Sequence, residues 1–527
     1  LRLHLQSDRK LNECRRECDG PFHASHSTGS CAKRYNQPMP LPQSGSSLHA
    51  DRPFSFILFG ASGHLAQLKI YPALYVLALK KRLPADYAIV GFARTEMSDA
   101  AFRDLVSASI RKDMIEVNEK ILAEMLTHIH YHSGQYDVAK DYTELGKKLE
   151  TLEKGTEDWI RIAYLSVPPT VFTPILDGLC AADIHDSKNA GSFRCIIEKP
   201  VGHDLASFEQ LKKKLLACFT EKEIYLLDHY LGKEAVRNIY YLRFANPVLE
   251  RMFKNTLIHH VEVTASEPHG IEERAGYFEH TGTFRDMIQS HLLMMVSLLT
   301  MRLTEDMDSL RAHRLNALEQ FYLPPAKNLE DVIMQGQYGS GENKKGKLAA
   351  YRNETQVAKD SRTNTFVAMK LRSRMSRWEG VPFVMRTGKR LDKKETRMSI
   401  QFQEPYPVGK GGSANRLDII LQGEAGMRLH LPKLGGSEPH FRPLIMEDPL
   451  VCVGDCLPEH ALLLLEAIHG NQQWFLTFDE VRTAWQLIDP LQSHLDDPRT
   501  ALLMYPAGSR GPEEMNEWIE KDGMKWF

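Results

Sequence analysis

Phe54-Ser-Phe-Ile-Leu-Phe59-Gly60-Ala-Ser-Gly63-His-Leu-Ala66 is the stretch on which the fold turns. Phe54 to Phe59 are almost continuously apolar, which marks a strand buried on both faces, as in a parallel sheet covered by helices. The strand runs into two glycines and then into a helical pattern from Leu65 to Lys81. Glycines there let the chain turn sharply and let backbone N–H groups approach a pyrophosphate at a helix N-terminus. A Gly-x-x-Gly pair also suits a plain strand-to-helix turn, but its place after the first strand of an α/β region favours a dinucleotide site. The second strand ends at Gly91-Phe-Ala-Arg94-Thr95. An NAD site carries an acid near this point for the ribose 2′-hydroxyl, whereas Arg94 suits a 2′-phosphate. The pattern therefore leans to NADP, the plainer reading of Arg94 being a solvated loop residue.

Outward from this unit, short apolar runs alternate with amphipathic ones. Strands are expected at Tyr87–Phe92, Arg161–Val167 and Arg194–Glu198, and helices at Ala100–Lys112, Val117–His130, Asp141–Leu152 and Ser207–Phe219. Such alternation predicts a doubly wound, Rossmann-like parallel sheet over residues 53–226. Beyond Leu227 the texture changes. Thr256–Thr264, Thr365–Leu371, Arg397–Phe402 and Leu417–Leu421 alternate with period two, predicting a larger α+β domain over 227–527, with helices and a mainly antiparallel sheet. Pro405–Ser413 and Leu434–Pro443 read as loops. Residues 1–52 are poor in branched apolar side chains and read as a flexible extension.

The 527 residues are 43% apolar and carry 66 Lys+Arg against 68 Asp+Glu, a net charge of −2. That balance argues against a nucleic-acid-coating protein and against an acidic disordered one. Between Asp286 and Arg302 lie fifteen uncharged residues, too few to cross a bilayer, so no membrane partner is expected. The opening residues lack an apolar leader run and the last three, Lys525-Trp-Phe527, are not a Ser-Lys-Leu address. A cytoplasmic location is expected, with a glycosomal fraction left open. A chain of this length can bury a full core without disulfides or metal. Of eight cysteines, Cys180, Cys195, Cys218, Cys452 and Cys456 sit in apolar contexts and read as small core residues. Cys14, Cys18 and Cys31 lie in the extension, as solvated thiols or with a redox role, and without the paired spacing of a zinc site. No metal is expected.

Three clusters concentrate chemistry. Glu198-Lys199-Pro200 closes a strand at the end where parallel sheets place ligands. Asp228-His-Tyr-Leu-Gly-Lys233 packs an acid, an imidazole, a phenol and an ammonium into six residues, donors suited to a phosphate. In Arg285-Asp286-Met-Ile-Gln-Ser290-His291, helical spacing turns His291 to the side of Met294, Met295 and Leu298; a satisfied core histidine is the competing reading.

These clusters, with Gly60-Ala-Ser-Gly63, Arg243-Phe-Ala-Asn246, Glu267-Pro268, Trp378-Glu-Gly-Val-Pro-Phe383, Gly388-Lys389 and Gly508-Ser-Arg-Gly-Pro512, resemble glucose-6-phosphate dehydrogenases from about Phe54 onward. The Cys-bearing extension is similar to that of the kinetoplastid members. The resemblance implies oxidation of β-D-glucose 6-phosphate at C1 by NADP, giving 6-phosphoglucono-δ-lactone and NADPH, the first oxidative step of the pentose phosphate pathway. It implies His291 as general base and Asp228 as its partner. It implies sugar or phosphate contacts from Lys199, His229, Tyr230, Lys233, Glu267, Asp286, Lys389, Lys394 and Gln422. Cofactor contacts are implied at Gly60, Ala61, Ser62, Gly63, His64, Leu65, Arg94, Tyr164 and Lys199, and a homodimer or homotetramer as the assembly. On an α-helix Asp286, five residues before His291, points elsewhere, towards substrate rather than the base.

Several positions depart from the family's pattern. His64 stands in place of Asp, Leu226 in place of a basic residue and Ser290 in place of Asn, and Leu457–Leu464 lacks the Tyr-Glu-Arg run. Glu395, Ser399 and Ile420 stand where a second, structural NADP would want basic residues, so none is expected. A non-catalytic binding homologue and a dehydrogenase of another hexose 6-phosphate are the competing functions. Keeping Asp228, His229, Lys233 and His291 together disfavours the first.

Overall fold

A computed structural model of the chain describes residues 50–153, 158–185, 190–272, 275–404, 414–435, 440–449 and 455–527. The extension with Cys14, Cys18 and Cys31, the expected loop over 405–413 and Cys452 lie outside the described residues. The described residues form one compact unit.

Six parallel strands make the first sheet: β1 (Phe54–Phe59), β2 (Tyr87–Ala93), β3 (Ile129–Ser133), β4 (Trp159–Leu165), β5 (Ala190–Glu198) and β6 (Ile224–Leu227). Their order is β3-β2-β1-β4-β5-β6. The order reverses between β1 and β4, the switch point at which doubly wound sheets bind ligands. The whole of β1 is buried, as its unbroken apolar character requires. At the edges one expectation fails and one strand was not foreseen. The helix expected to His130 ends at Thr127, because Ile129 pairs with Ile89 as β3. β6 is only four residues long, too short to stand out by periodicity.

The second sheet has ten strands. Its main path uses β7 (Ile258–Ser266), β8 (Ile333–Gly339), β9 (Phe366–Ser373), β10 (Phe383–Gly388), β11 (Glu395–Phe402), β12 (Arg416–Gln422), β13 (Gly426–Gly435), β14 (His440–Asp448) and β15 (Leu503–Pro506). They lie in the order β14-β13-β12-β11-β7-β10-β9-β8-β15, and the short pair Phe321–Tyr322 joins β9 off that path. Pairing is antiparallel except β7 with β10 and β8 with β15. The loop expected over Leu434–Pro443 is instead the close of a hairpin, with Leu434 paired to Phe441 and Gly435 to His440. Strand propensity and cross-strand pairing outweigh the glycines there.

Two of the cysteines read as core residues are joined. Cys180, near the end of the helix Phe172–Ala181, forms a disulfide with Cys218, two residues past the helix Leu205–Leu216. Cys456 is disulfide-bonded as well, whereas Cys195 is a buried free thiol. No described helix is long and apolar enough to cross a membrane.

Candidate active site

The fingerprint loop meets the requirements of a close backbone approach. Gly60 has φ of +79°, and a Cβ there would lie 2.3 Å from the Ser166 carbonyl, so only glycine fits. Ser166 Oγ beside it is buried with no hydrogen-bond partner among the described residues. Gly63 N donates to Gly60 O (2.8 Å), and helix begins at His64. Arg94 follows the end of β2, exposed, its guanidinium 5.7 Å from the Tyr136 ring centre. Ala61 is buried, Ser62, Gly63 and Leu65 are partly exposed, and His64 is exposed. Tyr164 is wholly buried and its hydroxyl donates to Glu198, so it reaches this site only through that carboxylate.

Asp228 stands at the end of β6, where it caps the turn His229–Gly232 by accepting from Tyr230 N (2.9 Å). Capping explains an acid at this point; what it faces explains the chemistry. His291 Nδ1 lies 2.6 Å from Asp228 Oδ1, a contact close but bent, and Asp228 Oδ2 has no hydrogen-bond partner among the described residues. Both side chains are buried. Burial pushes the His291 imidazole down, Asp228 pulls it up, and burial wins, leaving it below the ordinary histidine value. At neutral pH it is an uncharged base. Burial alone would raise Asp228, but the contact with His291, the Lys199 charge and the Tyr230 N–H together outweigh it and hold the carboxyl below its ordinary value.

His291 lies on a π-helix, Phe284–Leu292, that continues as the α-helix Leu293–Thr300. This corrects the α-helical expectation for Asp286. Bonds from i to i+5 bring residues five apart towards one face, and such insertions gather at functional sites. Asp286 accordingly acts on His291 electrostatically, and lies 3.7 Å from Lys199 Nζ and 3.9 Å from Lys389 Nζ. Lys199 donates to Asp286 O (2.6 Å) and Ser290 Oγ (3.3 Å), so Ser290 is engaged at the site. Lys389 pairs with Glu267 at 2.5 Å.

The expected phosphate residues converge on the same place. The Tyr230 ring stacks on His291 with centroids 4.0 Å apart, and Lys233 Nζ sits 3.7 Å from the Tyr230 ring centre. Burial lowers Lys233 to about 8. Burial, then the charges of His291, Lys199 and Lys233, hold His229 well below its ordinary value. Thr396 lies at Tyr230 and bonds Gln422 (3.2 Å), while exposed Lys394 acts on Lys233. Nitrogens and a carboxylate oxygen of Asp228, His229 and His291 lie within 4.8 Å of one another. The Asp228–His291 contact already uses this cluster.

Residues 57–238 match the family model of the glucose-6-phosphate dehydrogenase NAD binding domain, and residues 240–527 that of its C-terminal domain. The chain belongs to the glucose-6-phosphate dehydrogenase family. It is 36% identical to the glucose-6-phosphate 1-dehydrogenase of Chlamydia pneumoniae over 494 residues, 90% of this chain and 96% of that one. With the Bacillus subtilis enzyme the identity is 35% over 487 residues, 89% and 97% of the two chains. A solved glucose-6-phosphate dehydrogenase in complex with its substrate glucose-6-phosphate is similar at a TM-score of 0.81 and 31% identity, covering 91% of this chain and 100% of that one.

Within this member of the family, two residues of the cluster were not singled out from sequence. Glu198 was seen only as part of a strand-closing element, and His460 only as part of a divergent run. His460 Nε2 lies 3.7 Å from Glu198 Oε1, and its ring is 6.2 Å from and nearly parallel to that of His229. Nothing in the local pattern Pro458-Glu-His460-Ala-Leu marks it, because the partners are far away in sequence.

Proposed function

We infer that this chain oxidises β-D-glucose 6-phosphate at C1 with NADP+, yielding 6-phosphoglucono-δ-lactone and NADPH. The observation that carries the reading is the buried Asp228–His291 pair at 2.6 Å, set beside His229, Tyr230 and Lys233. His291 takes the proton of the C1 hydroxyl, and Asp228 stabilises the imidazolium that results. His229, Tyr230 and Lys233 hold the phosphate, while Glu267, Asp286 and Lys389 face the sugar. NADP+, when bound, supplies the hydride acceptor. Gly60 and Gly63 admit its pyrophosphate and Arg94 its 2′-phosphate. A sensor would have no use for a neutral base held against a carboxylate.

A cofactor domain over 53–226 and a sugar domain over 227–527 belong to this reading, supported by the end of the parallel sheet at Leu227. So does a homodimer or homotetramer. Its support is β14, an edge strand on which Leu444, Ile445 and Met446 are exposed. A second, structural NADP does not belong to it. Ser399 bonds Asp418 (2.6 Å), and Arg386 and Arg397 are paired with Glu262 and donate to the Phe527 carbonyl, so the cations of that face are already engaged. A cytoplasmic location completes the reading.

The test is NADPH absorbance with purified protein and a panel of hexose 6-phosphates. Turnover greatest with glucose 6-phosphate is expected. Binding without turnover of any sugar phosphate would contradict it, and preference for another hexose would move the substrate.

A further inference from the structure

The helix Glu459–His469 begins directly behind the phosphate clamp. A Cβ on Gly232 would lie 2.7 Å from the Glu459 carbonyl and 2.7 Å from Leu463 Cδ1, so the clamp turn and the helix start are in tight contact. The contact places the Glu459 carboxylate beside a site meant for a dianion, and Glu198 faces it across His460. Glu198 arrives from the end of β5 and Glu459 from the helix; of the two, Glu459 is near enough to Lys233 to favour its charged form. Unneutralised acids there would oppose phosphate binding, since like charges in a partly desolvated site repel strongly.

His460 lies between them. Its Nε2 is 3.7 Å from Glu198 Oε1 and its Nδ1 is 3.8 Å from Glu459 Oε1, so each ring nitrogen faces one acid. Its ring lies nearly parallel to that of His229, which stands edge-on to His291 at 4.7 Å. Glu459 also lies 3.9 Å from Lys69, on the first turn after the glycine fingerprint, and Glu198 accepts from Tyr164. The cluster thus joins the cofactor loop to the phosphate clamp. Burial alone would lower His460, but the two carboxylates of Glu198 and Glu459 facing its ring outweigh it and the group is raised to about 9.

We propose that His460 is a positioning residue of the phosphate clamp: its imidazolium neutralises Glu198 and Glu459, and so lets His229 and Lys233 receive a phosphate dianion. The proposal rests on the sugar-phosphate reading above and deepens it. It also gives the divergent run Leu457–Leu464 a local purpose, because a histidine there supplies a charge.

Steady-state kinetics on the full chain test it. His460→Gln is expected to raise KM for glucose 6-phosphate ~10-fold, with kcat and the NADP KM within about twofold. The kcat/KM for unphosphorylated glucose is expected to stay unchanged, a separation that a purely structural role would not produce. Adding Glu459→Gln to that variant removes one stranded acid and is expected to return KM towards its original value. Glu459→Gln alone, which keeps the His460 cation, is expected to tighten KM when measured below the pH at which Lys233 loses its charge, and serves if His460→Gln fails to fold. Unchanged KM, equal loss on glucose and glucose 6-phosphate, or a raised KM in Glu459→Gln would each overturn the proposal. The dissociation constant of glucose 6-phosphate, read by calorimetry, is expected to move with KM. The clamp is thereby judged even if the unsubstituted protein shows no turnover, a result that would contradict the dehydrogenase reading alone.

Discussion

The proposed base and the proposed phosphate clamp differ in what burial does for them. For His291, burial keeps the imidazole neutral and therefore able to accept a proton, and Asp228 limits how far it falls. Protonation below that value removes the base, so activity is lost as pH falls through it. Asp228→Asn removes the carboxylate that raises His291. The acid limb of kcat/KM is then expected to move to lower pH, with a lower plateau. A limb that stays in place would show that Asp228 does not act on the base. For Lys233, burial is a cost, lowering the ammonium to about 8. Its charge is present below that pH and lost above it, so kcat/KM for the sugar phosphate is expected to fall as pH rises past about 8. Lys233→Arg keeps the charge at alkaline pH and is expected to remove that limb. A limb unchanged in Lys233→Arg would assign it to another group.

At the scale of elements, what was legible depended on contrast. β1 and β2 were plain because continuous apolar runs end in turn residues, and the glycine loop was plain because a residue type and a backbone requirement coincide at Gly60. β3 was not, since Ile129-His-Tyr-His-Ser133 alternates histidines directly after a helix and blends with it. The π-helix Phe284–Leu292 was hidden because one extra residue per turn leaves the apolar spacing nearly helical while turning Asp286 towards the site. The Cys180–Cys218 pairing was equally invisible, as two half-buried cysteines 38 residues apart look like any small core residues. Closing a loop of that length typically contributes ~2–4 kcal/mol. Cys180→Ser is expected to lower unfolding stability by about that amount under non-reducing conditions, and by nothing under reductant. Chemical denaturation in both conditions checks this, and an equal loss in both would mean the bond is not formed.

Over the whole molecule, a net charge of −2 conceals a local positive set that the proposed reaction assigns to two phosphorylated ligands. Lys199, His229, Lys233 and Lys389 gather where the end of the parallel sheet meets the helical part of the second half, and Arg94 stands apart at the cofactor end. Arg94→Ala is accordingly expected to weaken NADP far more than NAD, measured as the ratio of their kcat/KM values. An equal loss on both would show that Arg94 does not read the 2′-phosphate. In the proposed reaction the two ligands meet at His291, so binding and chemistry separate cleanly in one variant. In His291→Asn, glucose 6-phosphate and NADP should both bind with dissociation constants within about threefold of the original, while kcat falls ~10²–10⁴-fold. Undiminished kcat with both ligands bound would contradict the assignment of His291 as the base.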